Sequence, residues 1–499
     1  MQTSETGEAV GGSGTAGEAF RIEARGLDYV PRSERWARPR DLFGMWAGAS
    51  VNIEYFIYGA ILMTFGFSFY EALSLIIIGN LTFFLLGLTS LQGPQAGTTT
   101  FAVNRAAYGP HGTRVISLFN WLTQIGFEVE GIILITGAGL VLAIKAGFSP
   151  GKPAEVIMLI IAVIIQAVLP LLGHATMVKT LRWLVVPFIV IFLILLGFSI
   201  GHTDMGVKTA SFAHGWQFYM VGLAFTIALS GLGWTENGND YSRYCPEGSS
   251  RKSIVGWVFL GTAVPEILCM ILGAVVGTFL TTIGTSANAF LPFAHQSAIP
   301  AAFVVVLLLF SILQLFAINS LDLYSSGVSL LALGLKVKRY QAVLIDSALC
   351  ILVGLIAILN SSFKTYLSDF VAAVICWISA WCGIFLVDWI LRKYRYVPAE
   401  LQKTDRSSIY WEQGGVNWAA IFAQTCGIVA SVLALDQLFY VGPIAKALAF
   451  GGAQGADMSV FTGFFGGALV YAIVGSVVVR RQSRVQEEML SANVTLSPA

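Results

Sequence analysis

The chain has 499 residues, of which 56% are hydrophobic and 11% are charged, and its mean hydropathy is +0.75. Soluble proteins carry about 25% charged residues, so this composition excludes an ordinary soluble domain and indicates a membrane protein that crosses the bilayer many times. The formal net charge of +1 gives no information about partners, and no nucleic-acid partner is expected. The first 20 residues are small and polar, contain no apolar signal-peptide core, and are predicted to be disordered.

Apolar segments long enough to cross a bilayer, which takes about 20 residues each, follow one another along the whole chain. We number them spans 1 to 12, near 42–66, 70–93, 114–145, 155–174, 180–201, 217–240, 253–281, 300–333, 341–360, 366–392, 416–438 and 459–480. No soluble domain interrupts them. The predicted fold class is therefore an all-α polytopic membrane protein with about 12 transmembrane helices.

The basic residues favour one orientation of these spans. If the connections alternate between the two sides of the bilayer, all but five of the 29 Lys and Arg residues share the side that holds both termini. The five exceptions are Lys145, Lys152, Lys208, Lys364 and Lys446. Cytoplasmic connections are enriched in Lys and Arg, so both termini are predicted to be cytoplasmic, in a multi-pass protein of the cell membrane.

Two spans carry polar interruptions. In span 1 the interruption is the run from Gly48 to Glu54, and in span 6 it is the run from Gly231 to Asp240. Irregular polar backbone at membrane depth is tolerated only where it is buried in protein or lines a cavity. If spans 1–5 and 6–10 are two repeats, spans 1 and 6 are the first span of each. Because each repeat has an odd number of spans, the second would cross the membrane in the opposite direction to the first. Interruptions at matching positions of such repeats indicate the substrate site of a transporter.

The predicted spans and repeats divide the chain into six parts. They are a disordered cytoplasmic tail (1–40), a first repeat (41–201), a second repeat (202–392), a cytoplasmic loop (393–415), two additional spans (416–480) and a cytoplasmic C-terminal tail (481–499).

Other polar side chains at membrane depth recur with helical spacing, at i, i+3, i+4 and i+7, which places them on one helix face. In span 3 they are Gln124, Phe127, Glu128 and Gly131, with Glu130 on the adjacent flank; in span 8 they are Asn319, Asp322 and Ser326. A charge at the centre of a span costs about 2.5–3.5 kcal/mol, so Glu54, Glu128 and Glu130 are candidates for the transport pathway. Asp388, four residues before Arg392, is expected to cap the inner end of span 10.

Several function classes are disfavoured. The six cysteines have no metal-ligand spacing, no two of the five histidines share a helix face at membrane depth, and no Walker-type loop is present. The sequence predicts no metal, no cofactor and no enzymatic nucleophile–base pair. An enzyme and an ATP-driven pump within this chain are therefore not expected.

Four strings in the chain resemble those of the purine–cytosine permeases, the nucleobase:cation symporters. They are WAGASVNIEYFIYGAIL (Trp46–Leu62), EALSLIIIGNL (Glu71–Leu81), GWTENGNDYSRYCP (Gly233–Pro246) and NSLDLYSSGVSL (Asn319–Leu330). The resemblance extends from about 28 to 480. It implies the leucine-transporter fold, with five plus five inverted spans, broken spans 1 and 6, and two extra C-terminal spans.

The resemblance also implies a substrate held between an aromatic side chain of span 3, here Phe127, and a residue of broken span 6. The span 6 position falls on Gly231, which has no side chain, unless Trp234 takes that role. Asn319 of span 8 would help to read the edge of the substrate. Together with Gln124, Glu128 and Asn52, these residues form the predicted substrate site.

The implied function is secondary active import of a nucleobase, cytosine or a purine, or of a related N-heterocycle, with a coupling cation. Sodium-coupled members carry two hydroxyl residues in span 8 where this chain has Ala317 and Ile318, so a proton is favoured. Glu54, Glu128 and Asp322 are the candidate proton carriers. The number of carboxylates favours a substrate rich in N–H donors or partly cationic. Two alternatives stay open: a carrier of the same fold for allantoin, hydantoin, a vitamin-like or a cationic nitrogen compound, and a non-transporting receptor.

Overall fold

The computed structural model describes residues 26–167, 174–207, 215–335, 339–360, 362–437, 440–449 and 455–495. Over these ranges the regular structure is helical, apart from one short antiparallel pair of strands, Asp436–Gln437 and Tyr440–Val441. In this pair Asp436 lies opposite Val441. The predicted all-α fold class is confirmed.

Helices occupy all twelve predicted spans. Those of spans 1 to 6 are Pro39–Ser50 with Ile53–Phe65; Phe69–Asn80 with Phe83–Thr89 and Gly93–Ala96; Thr113–Lys145; Lys152–Gln166; His174–Ile200; and Trp216–Leu229 with Gly231–Asn237 and Gly238–Ser242. Those of spans 7 to 12 are Arg251–Gly277, Ala301–Ala332, Arg339–Asn360, Phe363–Leu391, Trp418–Leu433 and Ser459–Thr495. Residues 168–173, in predicted span 4, and Lys208 lie outside the described residues.

Nine stretches of the described chain are long and apolar enough to cross a bilayer. Spans 1, 4 and 11 are not among them, because their separate helices have 16 residues or fewer. Short helices lie before span 1 and in the connections between spans. They are Arg32–Glu34, Thr100–Tyr108, Pro292–His295, Pro398–Gln402, Gln413–Gly415 and Pro443–Ala447.

The interruption of span 1 falls at Val51 and Asn52. Asn52 caps the second helix, because its side-chain oxygen accepts a hydrogen bond from the backbone N–H of Glu54 at 3.0 Å. Helix ends leave backbone groups without intrahelical partners, and Gln314 of span 8 pairs two of them. Its amide nitrogen donates to the Val51 carbonyl at 3.1 Å, and its oxygen accepts from the Ile53 N–H at 3.3 Å. Span 8 is thereby attached to both sides of the interruption.

Span 6 is interrupted after Leu229, where a 3₁₀ segment, Gly231–Asn237, replaces the α-helix. Gly231 lies so close to the backbone of Thr82 and Phe83 in span 2 that a Cβ atom would overlap it. The hydroxyl of Thr89 donates to the Thr235 carbonyl at 2.7 Å, which attaches the segment to span 2. The predicted interruptions of spans 1 and 6 are both confirmed.

The structure describes part of each terminal segment, of which the N-terminal one was predicted to be a disordered tail and the C-terminal one a cytoplasmic tail. Val30 and Ala37 are fully buried, and the backbone N–H of Val30 donates to the Gly97 carbonyl at 2.7 Å. Residues 26–40 are therefore packed against the helices; residues 1–25, which include the small, polar stretch that predicted disorder, lie outside the described residues. The helix of span 12 continues to Thr495, so the predicted tail at 481–499 begins as helix, and residues 496–499 lie outside the description.

Candidate functional site

Two aromatic side chains, Phe127 of span 3 and Trp234 of span 6, are half-buried. Phe127 packs edge-to-face on Phe370 of span 10, with 4.9 Å between ring centroids. Gly233 of span 6 also lies close to Phe127, since a Cβ atom at this glycine would be 3.7 Å from the Phe127 ring. The indole N–H of Trp234, next in the chain, donates to the Tyr55 hydroxyl at 2.9 Å. Phe127 and Trp234 therefore both lie near the interruption of span 6.

Three polar side chains form hydrogen bonds between span 3 and broken span 6. Gln124 precedes Phe127 by one helical turn, and its amide nitrogen donates to Glu236 Oε1 at 3.3 Å. The side-chain nitrogen of Asn237 donates to the same oxygen at 3.4 Å. Gln124, Glu236 and Asn237 are each at most 2% exposed. The structure therefore places Gln124, as predicted, on the same face of span 3 as Phe127 and in contact with broken span 6.

Asn52 and Glu54, two polar residues of span 1, differ in how far their side chains are buried. Asn52 is fully buried, its oxygen caps the helix, and its nitrogen donates to Glu54 Oε2 at 2.7 Å. The prediction that Asn52 binds substrate is therefore corrected, because both of its polar atoms are used within span 1. Glu54 keeps part of its surface uncovered.

Carboxylates from three spans come within electrostatic range of one another. Glu54 of span 1 faces Glu130 of span 3 and Asp322 of span 8, and Tyr55 and Tyr58 lie beside them. None of the ion pairs between described residues includes any of these three carboxylates. Burying several charges without partners is costly, so this group favours the presence of protons or of a cationic ligand.

Glu128 of span 3 and Asn319 of span 8 make contacts outside the group formed by Gln124, Glu236 and Asn237. The thiol of Cys350 in span 9 donates to Glu128 Oε2 at 3.2 Å, and Asp346 of the same span is a further neighbour. The side-chain nitrogen of Asn319 donates to the Glu128 carbonyl at 3.1 Å and to Gln166 Oε1 at 2.7 Å. These two predicted site residues therefore join spans 3, 4, 8 and 9, and the placement of Glu128 beside the substrate is corrected.

Gly231 is the other correction in the predicted site. A Cβ atom at Gly231 would overlap the backbone of span 2 and would not point towards Phe127. A stacking side chain therefore does not fit at this position. Trp234 is half-buried, close to Trp46, with 5.9 Å between ring centroids. The alternative that the sequence offered, Trp234 opposite Phe127, stays a prediction.

The predicted site omits three residues that the structure brings to it. Glu236 and Asn237 follow Trp234 directly in the polar cluster of span 6, so their position was a usable signal. Glu266 of span 7 lies beside Tyr55 and Ser230, and no local pattern indicates this contact.

Comparisons with known proteins agree with this architecture. A family model described as "Permease for cytosine/purines, uracil, thiamine, allantoin" matches residues 29–456. The chain is 24% identical over 483 residues to the putative purine-cytosine permease YxlA of Bacillus subtilis, covering 95% of this chain and 100% of that protein. It is also 24% identical to the purine-cytosine permease fcyB of Emericella nidulans, over 91% of this chain and 88% of that one.

Solved structures show the same fold. Mhp1, a nucleobase-cation-symport-1 family transporter, in a closed conformation with bromovinylhydantoin bound, superposes with a TM-score of 0.71 at 15% identity, covering 92% of this chain and 96% of that one. Its inward-facing conformation gives a TM-score of 0.66, over 93% and 96% of the two chains. The chain belongs to the family of permeases for cytosine/purines, uracil, thiamine and allantoin, and it is a multi-pass membrane transport protein rather than an enzyme.

Proposed function

We propose that this protein imports a nucleobase, cytosine or a purine, or a closely related N-heterocycle by symport with a proton. The observation that carries the proposal is the buried contact between Gln124 and Glu236, which lies one helical turn from the half-buried Phe127 ring and two residues from the half-buried Trp234 ring. The relatives named above as purine-cytosine permeases support the same substrate class.

A planar heterocycle has two π faces and a rim of hydrogen-bond donors and acceptors. Stacking on aromatic rings contributes about 0.5–1.5 kcal/mol beyond the burial of area. The rim is read by polar groups, because a ligand that leaves a buried polar group unpaired is strongly rejected. Phe127 and Trp234 supply faces, and Gln124 with Glu236 supplies the rim.

The contacts between spans 1 and 8 support a proton rather than sodium as the coupling ion. Sodium binding requires several oxygen ligands around one point. At the interruption of span 1, the Val51 carbonyl already accepts a hydrogen bond from the Gln314 amide. Ala317 and Ile318, one turn further along span 8, are buried in an apolar cluster with Ala49. The groups that span 8 presents here are the Gln314 amide, whose nitrogen and oxygen are both already paired with span 1, and aliphatic side chains, which do not coordinate a cation.

Glu54 is the proposed proton carrier, with Glu130 and Asp322 as its acidic neighbours. Glu54 has uncovered surface, so a proton can reach it, and it lies one residue before Tyr55, which accepts the hydrogen bond of Trp234. This contact connects the carboxylate to the interruption of span 6. If protonation and substrate binding favour the same arrangement of spans 1 and 6, each raises the affinity for the other.

In proteoliposomes, we expect uptake to rise as the outside pH falls and to proceed without sodium. For one proton per substrate, the accumulation ratio should rise about tenfold for each unit of pH difference, since 1.4 kcal/mol corresponds to a factor of ten. Glu54→Gln should abolish this dependence, because an amide does not bind the proton. Radiolabelled uptake under imposed pH and sodium gradients measures both effects.

The matched control is Glu488→Gln, a carboxylate exposed on the final helix, which should keep the pH dependence. Uptake driven by a sodium gradient and indifferent to pH would contradict proton coupling. Loss of the dependence in Asp322→Asn but not in Glu54→Gln would assign the proton to Asp322 instead.

A thermal-shift screen of the purified protein tests the substrate class. Stabilisation by nucleobases and not by allantoin, hydantoins or vitamin-like heterocycles would support the proposal. Binding of a nucleobase without any uptake in proteoliposomes would favour the receptor alternative.

We also propose that both termini are cytoplasmic, as the distribution of basic residues indicates. A reporter fused after Ala499 should be active only as a cytoplasmic reporter, and one inserted in the 282–299 connection only as an external reporter. An external C-terminal reporter would contradict this orientation.

A further inference from the structure

We propose that this site selects heterocycles whose edge presents N–H donors, meaning an exocyclic amino group beside a ring nitrogen that can be protonated. Analogues that present carbonyl oxygens at that edge are rejected. The specificity-determining residues are Glu236, Gln124 and Asn237. The inference rests on the proposed function, since it specifies the substrate class of the same site.

The orientation of two amides follows from the chemistry of Glu236. Its Oε1 is the common acceptor for the side-chain nitrogens of Gln124 and Asn237, at 3.3 and 3.4 Å. An ionised carboxylate only accepts hydrogen bonds, so each amide must turn its NH₂ group towards it. The carbonyl oxygens of both amides are then directed away from Glu236 and left available.

The polar atoms of this set that have no hydrogen-bond partner are all acceptors, while each amide nitrogen keeps one further N–H. Glu236 Oε2, Gln124 Oε1 and Asn237 Oδ1 are buried and have no hydrogen-bond partner in the described part of the chain. Buried polar groups are normally paired. Three acceptors left open at one place are therefore suited to a ligand that brings donors.

The charges around Glu236 have the same sign. The ionisable groups that face it are Asp240, Asp322 and the thiol of Cys382, and none of the ion pairs between described residues includes it. The charge of Arg243, further along span 6, acts on Asp240, and its guanidinium donates to the Gly26 carbonyl and to the Tyr244 hydroxyl. The field at this edge favours an amino or cationic group and opposes a carbonyl oxygen.

The acceptors belong to residues that are near both rings along the chain. Gln124 is one helical turn from Phe127, and Glu236 is two residues from Trp234. A heterocycle that contacts both rings with its faces therefore presents its rim to Glu236.

Matched pairs of ligands test the inference directly. With the purified full-length protein, we expect cytosine to bind about 30-fold more tightly than uracil, and adenine about 30-fold more tightly than hypoxanthine, by isothermal calorimetry. Glu236→Gln should reduce each ratio to about threefold or less, because its amide can donate to a carbonyl oxygen. Gln124→Met removes one acceptor and keeps Glu236, so it tests the same point if Glu236→Gln does not fold; its ratios should fall to about tenfold.

Glu128→Gln is the matched control, since it changes a buried carboxyl of span 3 that faces Cys350 instead of Glu236. It should retain the full preference. Equal affinities within each pair, or tighter binding of uracil and hypoxanthine, would overturn this inference and leave the proposed function intact. Failure of all four compounds to bind would overturn the proposed function, and this inference with it.

Discussion

Asp388→Asn is expected to lower the free energy of unfolding by about 3–5 kcal/mol, the usual result of removing one partner of a buried ion pair. Asp388 and Arg392 pair at 2.9 Å, and their side chains are 1% and 0% exposed. The variant leaves the guanidinium buried without its counter-charge. The expected consequence is a large loss of folded protein, measured as a lower melting temperature in detergent.

The size of this effect follows from what the pair holds together. Asp388 also accepts the hydroxyl of Tyr471 in span 12 at 2.7 Å. Arg392 donates to the Ala106 carbonyl at 2.6 Å and to Gln482 Oε1 at 2.8 Å. Spans 10 and 12 and the Thr100–Tyr108 helix therefore meet at one ion pair, and the predicted cap at the inner end of span 10 is part of a larger network.

Two further variants separate charge from packing. Glu487→Gln removes the exposed pair with Lys393 and should change stability by less than about 1 kcal/mol, since exposed pairs contribute little. Asp388→Asn combined with Arg392→Met should recover part of the loss, because no unpaired charge remains. A melting temperature for Asp388→Asn equal to that of Glu487→Gln would show that the pair is unimportant.

Much of the fold could be predicted from the sequence, because the bilayer imposes strong local constraints. A span needs an apolar segment of set length, and polar backbone at depth needs burial. Hydropathy therefore located the helices, and the run around Asn52 and the run after Gly231 located the two interruptions.

The site was harder to predict, because helix periodicity defines a face only to within about one residue. Phe127 and Glu128 are adjacent, so their side chains differ by about 100° around the helix. This rotation directs Phe127 towards spans 6 and 10 and Glu128 towards span 9. Because the helical spacing placed both residues on one helix face, it could not predict that Phe127 contacts Phe370 while Glu128 contacts Cys350.

Contacts between distant segments were not predictable from local patterns. Gln314 pairs with Val51 and Ile53, more than 260 residues away. The described part of the N-terminal segment is likewise ordered by Gly97 and Arg243. In both cases the partner decides the role of the residue, and a single sequence does not identify the partner.

Phe127→Ala is expected to weaken substrate binding about tenfold, which corresponds to a loss of about 1.4 kcal/mol. The change removes the ring that meets Gly233 and Phe370 and leaves the polar edge at Gln124 in place. One stacking surface of the proposed site is lost, at about 0.5–1.5 kcal/mol beyond area burial. Phe127→Trp keeps an aromatic face and should retain binding to within about threefold.

The matched control for this prediction is Phe119→Ala. Phe119 lies two turns earlier on span 3 and stacks on Trp377 of span 10, with 6.0 Å between ring centroids. It has the same residue type, lies in the same helix and contacts the same neighbouring span, so its loss should lower stability and leave ligand affinity unchanged. Calorimetric titration of both variants separates the two roles. If Phe127→Ala bound the ligand as tightly as the unaltered protein does, Phe127 would be a packing residue and the substrate would lie elsewhere.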